Sequence, residues 1–97
     1  MHDLKTITSK YKSKILLIAN ESGVESIRIF GSVARGDQSD QSDIDFLVKA
    51  GEFTTYLTLS KLKRDLEELL KCQVDIITES GVSERLRPII ESEAKPL

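Results

Sequence analysis

Three aspartates and one Gly-Ser step carry the chemistry open to this chain. Asp43 and Asp45 flank Ile44 at the head of an apolar run, DIDFLVK, and Asp75 lies inside a second run, QVDIIT. Side chains alternate along a strand. Asp43 and Asp45 therefore share one face, with Ile44, Phe46 and Val48 on the other, and Asp75 and Ile77 likewise oppose Val74, Ile76 and Thr78. If the apolar sets line one side of a common sheet, the three carboxylates meet on the opposite side. Such carboxylates repel one another where water is scarce, and a divalent cation relieves the repulsion. Oxygen donors without a His or Cys cluster fit Mg²⁺ or Mn²⁺ better than zinc. Gly31-Ser32 closes a third strand-like run. Glycine lets a phosphate approach the backbone, the Ser32 hydroxyl and the amides behind it can donate, and Arg35 adds a positive charge a turn later. Phosphate donors beside metal ligands are what metal-assisted in-line nucleotidyl transfer requires.

Each signal has a plainer reading when taken alone. An Asp-x-Asp pair often only solubilises a strand end, Asp75 alone suits a strand-end charge, and a Gly-Ser step usually marks a turn. Arg35 suits a surface salt bridge as well as a phosphate contact. Gly31 and Gly36 have the spacing of a P-loop, but Asp37-Gln38 stands where Lys-Ser/Thr is required. A calcium loop fails too, since Phe46-Leu47-Val48 is strand-like and the loop glycine is missing. The joint occurrence of the signals gives them weight.

The elements that must hold these residues follow from periodicity. Leu4, Ile7, Tyr11, Ile15, Ile18 and Ala19 recur every three or four residues, which predicts a helix ended near Gly23 in a left-handed cap. Val24 to Phe30 reads as a strand, Ser32 to Arg35 as one helical turn, and Gly36 to Ser42 as a surface loop. Asp43 to Lys49 is a second strand. Thr54 or Thr55 caps a helix reaching about Lys71, with Leu59, Leu62, Leu66 and Leu69 inward. Gln73 to Thr78 is a third strand. Ser83 to about Ala94 is a last helix, with Leu86, Ile89, Ile90 and Ala94 inward and Pro88 disturbing its bonding. The helical crossover between the second and third strands predicts parallel pairing; the shorter link between the first two predicts antiparallel pairing. The fold class is α/β or α+β, a small mixed sheet with helices packed on it.

The 97 residues suit a single domain over 1–97 with a modest, mostly aliphatic core. With 14 basic and 16 acidic residues the net charge is −2, which gives no general attraction to nucleic acid. Cys72 is the only cysteine, so no internal disulfide forms. The longest apolar run, Ile15 to Ala19, is far short of a membrane span, and no signal-peptide stretch opens the chain; the expected location is the cytoplasm. His2 is expected on a mobile terminus, Cys72 in packing, and Lys61, Lys63 and Arg64 on a solvated helix face, with Arg85 and Arg87 also solvated.

Gly31-Ser32, ten residues, then Asp43-Ile44-Asp45 resembles the signature of the DNA-polymerase-β-like nucleotidyltransferases. The fuller strings Gly31-Ser32-Val33-Ala34-Arg35-Gly36 and Ser42-Asp43-Ile44-Asp45-Phe46 are similar to the minimal branch, small antitoxins paired with helical HEPN ribonuclease toxins. Val74-Asp75-Ile76 matches its third carboxylate, and Leu86 to Glu91 with Glu93-Ala94 resembles its last helix. The likeness covers nearly the whole chain with a specific combined motif. It implies a palm-like fold, ATP as substrate, two Mg²⁺ ions on Asp43 and Asp45, and Asp75 completing one metal site and helping to deprotonate the acceptor. It also implies that Gly31 and Ser32 grip the β- and γ-phosphates, Arg35 being a lesser candidate. The implied acceptor is a tyrosine of a HEPN toxin, with no direct nucleic-acid or membrane partner. The rivals are an antitoxin that neutralises by binding alone and a small-molecule nucleotidyltransferase. The short chain argues against the latter, because such enzymes carry an extra acceptor domain.

Overall fold

The structure, a computed structural model, describes residues 3–36, Ser32 by its backbone alone, and residues 43–97. The predicted loop therefore lies, beyond Gly36, outside the described residues. The first helix runs in three pieces: α1 (Leu4–Thr6), a π-helical stretch (Ile7–Tyr11) and α2 (Lys12–Glu21). Its inward residues explain the π turn. Ile7, Tyr11, Ile15 and Ala19 are spaced by four, whereas an α-helix repeats every ~3.6 residues, so a purely α-helical stripe would drift off the core. One wider turn re-phases it. The hydroxyls of Thr8 and Ser9 donate to the carbonyls of Leu4 and Lys5 at 2.8 and 2.7 Å, satisfying acceptors around the change of pitch. Ile7, Ile15 and Ala19 are buried, as the apolar spacing predicts. The segment ends at Gly23, whose φ of 83° is the left-handed cap.

Strands β1 (Ser26–Phe30), β2 (Ile44–Lys49), β3 (Val74–Thr78) and β4 (Lys95–Pro96) form one mixed sheet in the order β3-β2-β1-β4. β1 and β2 are antiparallel and β2 and β3 parallel, both as the connections predict. β4, which no periodicity announces, pairs antiparallel with β1 through Arg28↔Pro96 and Ile29↔Lys95. One sheet face packs against the long helices: Ile27, Ile29, Ile44, Phe46, Val48 and Val74 join the main core with Ile7, Ile15, Leu62, Leu66 and Leu70. Among the described residues no helix is long and apolar enough to cross a membrane.

Helix α4 (Tyr56–Leu70) is fixed at both ends. Thr55 accepts from the Thr58 amide at 3.2 Å and its own amide donates to the Thr58 hydroxyl at 2.7 Å, a reciprocal cap. Lys71 closes the helix with φ 57°. Leu62, Leu66 and Leu70 are buried, while Leu59 and Leu69 pack at the margin of the core. Thr55→Ala should lower stability by about 1 kcal/mol in urea unfolding. An unchanged midpoint would mean that the cap is satisfied otherwise.

The last helix departs from expectation. It begins at Arg87, not Ser83, and α5 (Arg87–Glu93) carries Pro88 in its first turn. There the missing amide costs no intrahelical bond, so Pro88 starts the helix and disturbs nothing. The inward assignment fails for Leu86 and Ile89, which are 49% and 55% exposed. A seven-residue helix buries a narrow stripe, and here that stripe is Ile90 continued by Ala94, packed on Phe30, Leu47 and Val82 across the second sheet face.

Candidate active site

The second face of the sheet, opposite the long helices, carries the carboxylates. Asp45 lies in β2 directly opposite Asp75 in β3, and across β1 its partner is Phe30, the residue before Gly31. Residues paired in register share a face, so Asp45 and Asp75 stand side by side as the alternation predicts. Asp43 is exposed, just before β2. Behind the pair, α5 covers the other half of the face. Arg28 of β1 grips Glu91 with two hydrogen bonds of 2.9 and 3.2 Å and lies 3.4 Å from Glu79. Arg35 donates to Glu93 at 3.1 Å. Among the described residues the site is a ledge bounded by α5 on one side and the outer edge of β3 on the other.

Gly31 makes the ledge possible. Its φ is 78°, and a Cβ there would collide with Asp45 Oδ2. The turn from β1 into α3 (Ser32–Arg35) therefore runs against the Asp45 carboxylate, and only glycine fits. The backbone at Ser32 opens α3 as predicted; its hydroxyl, expected to hold phosphate, lies outside the described side chains. Arg35, the other expected phosphate contact, is engaged by Glu93, which is the salt-bridge alternative, and is also close enough to Asp45 to favour its ionised form.

Electrostatics single out Asp45. Its carboxyl is pushed up from 3.8 to about 6. Burial is the first cause, followed by the charges of Asp75 and Asp43 and a hydrogen bond with Asp75 that requires a shared proton. Asp45 and Asp75 offer carboxylate oxygens side by side on one face, and their repulsion is what a hard divalent cation neutralises, so the chemistry of the pair fits Mg²⁺. Among the described residues no group of three acidic, His or Cys side chains is placed to hold a metal ion. Asp45 and Asp75 form the close pair, and Asp43 acts on Asp45 through its charge.

Comparison with known proteins decides the family: the nucleotidyltransferase domain matches residues 12–97. The chain belongs to the nucleotidyltransferase domain family. It is an enzyme of that class. A Methanocaldococcus jannaschii relative, provisionally named a protein adenylyltransferase, is 42% identical over 86 residues, spanning 89% of this chain and 92% of the relative. A solved structure provisionally described as a minimal nucleotidyltransferase superposes with a TM-score of 0.87 at 41% identity, covering 99% of this chain and 97% of the other. A toxin–antitoxin crystal structure with AMP-PNP matches with TM-score 0.74 at 25% identity, covering 88% of this chain and 70% of that one. A tri-AMPylated Shewanella oneidensis HEPN toxin in complex with its MNT antitoxin matches at 22% identity and TM-score 0.65, over 88% of this chain and 66% of that one, a likeness of fold alone. The sequence resemblance to minimal nucleotidyltransferases and the palm-like mixed sheet are thereby established.

Proposed function

We propose that this nucleotidyltransferase moves AMP from ATP to a tyrosine hydroxyl of a HEPN-type toxin and so acts as its antitoxin. The observation that carries the reading is the Asp45–Asp75 pair on the ledge against the Gly31 turn. The adenylyl group is supported by the protein adenylyltransferase relative, the antitoxin role by the toxin–antitoxin neighbour that holds AMP-PNP, and the HEPN acceptor by the resemblance of the Gly31-Ser32 and Asp43-Ile44-Asp45 motifs to the minimal branch.

The chain's own groups divide the work. The Gly31 turn and the amides opening α3 hold the β- and γ-phosphates. Asp43 and Asp45 would hold Mg²⁺, with Asp75 completing one site; the bound ions supply charge neutralisation for the carboxylates and the phosphates. Asp75, at the sheet edge, takes the proton of the acceptor hydroxyl. The hydroxyl oxygen then bonds to the α-phosphorus, the bond from that phosphorus to the oxygen bridging the β-phosphate breaks, and pyrophosphate leaves with the bonding pair. Accumulated negative charge on the phosphates makes electrostatic stabilisation the dominant contribution.

Catalysis and plain occlusion give opposite results in cells. Asp43→Asn/Asp45→Asn should still bind a HEPN toxin that the wild type neutralises, yet fail to protect cells from it. A double mutant that folds and protects as well as the wild type would show that neutralisation needs no transfer.

A further inference from the structure

The geometry points to the cleft between α4 and the outer edge of β3 as the acceptor subsite, built to take an extended, acidic segment of the partner protein. This rests on the proposed transfer to a protein hydroxyl and specifies where and how that protein docks.

The cleft encloses about 360 Å³ and is lined by Tyr56, Leu59 and Lys63 of α4 and by Asp75, Ile76 and Thr78 of β3. It meets the carboxylate ledge at Asp75, whose side chain lies on the opposite sheet face, so a strand laid along β3 would reach the cleft and the Asp75 carboxylate with alternate side chains. β3 is the last strand of the sheet. Its parallel register with β2, Ile44↔Val74 and Phe46↔Ile76, turns the amides and carbonyls of Asp75 and Ile77 towards β2. Those of Val74, Ile76 and Thr78 point outward. Glu67 of α4 occupies the outward amide of Val74 at 3.1 Å. The amide and carbonyl of Ile76 open into the cleft, an edge ready to pair with an extended chain.

The side chains give the segment its chemistry. Lys63 is exposed, as expected from sequence, and lines the cleft; among the described residues it has no carboxylate partner. Its helix neighbour Lys61 is tied to Asp65 at 3.1 Å. Tyr56 is 91% exposed although it opens the helix beside the cleft, so its ring is free to stack on an incoming side chain. A segment paired along β3 would set an acidic side chain on Lys63, an apolar or aromatic one on Tyr56 and Leu59, and its hydroxyl at Asp75.

The test uses calorimetric binding of a HEPN toxin that this chain neutralises, without nucleotide, alongside transfer kinetics. Lys63→Glu should weaken that binding roughly tenfold and raise KM for the HEPN protein while leaving KM for ATP unchanged. Tyr56→Ala should act in the same direction, and Lys61→Glu, the same charge change outside the cleft, should do neither. If Lys63→Glu and Tyr56→Ala bind like wild type, or if Lys63→Glu raises KM for ATP instead, the assignment of the cleft is overturned. A wild type that binds with this sensitivity but transfers no AMP would overturn the transfer reading and leave the docking surface standing. A wild type that does not bind at all overturns both.

Discussion

Asp45→Asn is expected to make the metal-free protein more stable at neutral pH while reducing transfer on the order of a thousandfold, the scale on which preorganised charge at a reacting centre counts. The two effects share one cause. The Asp45 carboxyl rises from its ordinary 3.8 to about 6 because burial, Asp75 and Asp43 all oppose its charge. The folded state therefore binds that proton more tightly than the unfolded chain. Its stabilising contribution is complete below about 3.8 and is lost as pH rises through about 6. A shift of one unit corresponds to ~1.4 kcal/mol; with the carboxyl only partly buried, screening reduces the expected loss to roughly 1–2 kcal/mol. Asparagine has no such proton. In urea unfolding without metal, mutant stability should exceed wild type above pH 6 and the two should converge towards pH 4. Adding Mg²⁺ should raise wild-type stability and leave the mutant nearly unmoved. Parallel stability curves across that range would refute the electrostatic account.

Gly31→Ala should be among the most damaging single substitutions. A left-handed φ of 78° strains any residue with a Cβ, and this Cβ would also meet the Asp45 carboxylate. Strain of about 1–2 kcal/mol and a forced shift of β2 or the turn of about 1–3 kcal/mol add to a loss of roughly 2–5 kcal/mol. Affinity for ATP should fall with it, since the turn that approaches the phosphates must move. Gly36→Ala is the comparison. Its φ is 82°, but no described residue lies within 4 Å of an added Cβ, so backbone strain is the expected cost. Equal destabilisation of the two variants would mean that the approach of Gly31 to Asp45 has no energetic consequence.

Much of this site was legible because strand alternation is a local rule. The faces of Asp43, Asp45 and Asp75 followed from period two, and the parallel and antiparallel pairings followed from connection length. Leu70 is buried and Leu69 only packs at the margin, because the four-residue steps from Leu62 through Leu66 lead to Leu70. What else escaped was set by contacts distant in sequence. Leu86 and Ile89 face outward because α5 is short and is oriented by Arg28 to Glu91 and Arg35 to Glu93, pairs more than fifty residues apart. The two-residue strand at Lys95–Pro96 has no pattern to read; β1 supplies its pairing. The π turn was foreshadowed by four-residue spacing, which a count of matches to a helical stripe passes over.

The central claim is that the group transferred is the adenylyl moiety and that the acceptor is the HEPN protein. Incubation of the two purified proteins with Mg²⁺ and ATP labelled at either the α- or the γ-phosphorus tests it in one measurement. The account predicts label on the HEPN protein from the α-position and none from the γ-position, with both signals absent for Asp43→Asn/Asp45→Asn. Label retained from the γ-position, or none from either with a folded, Mg²⁺-binding wild type, would contradict it.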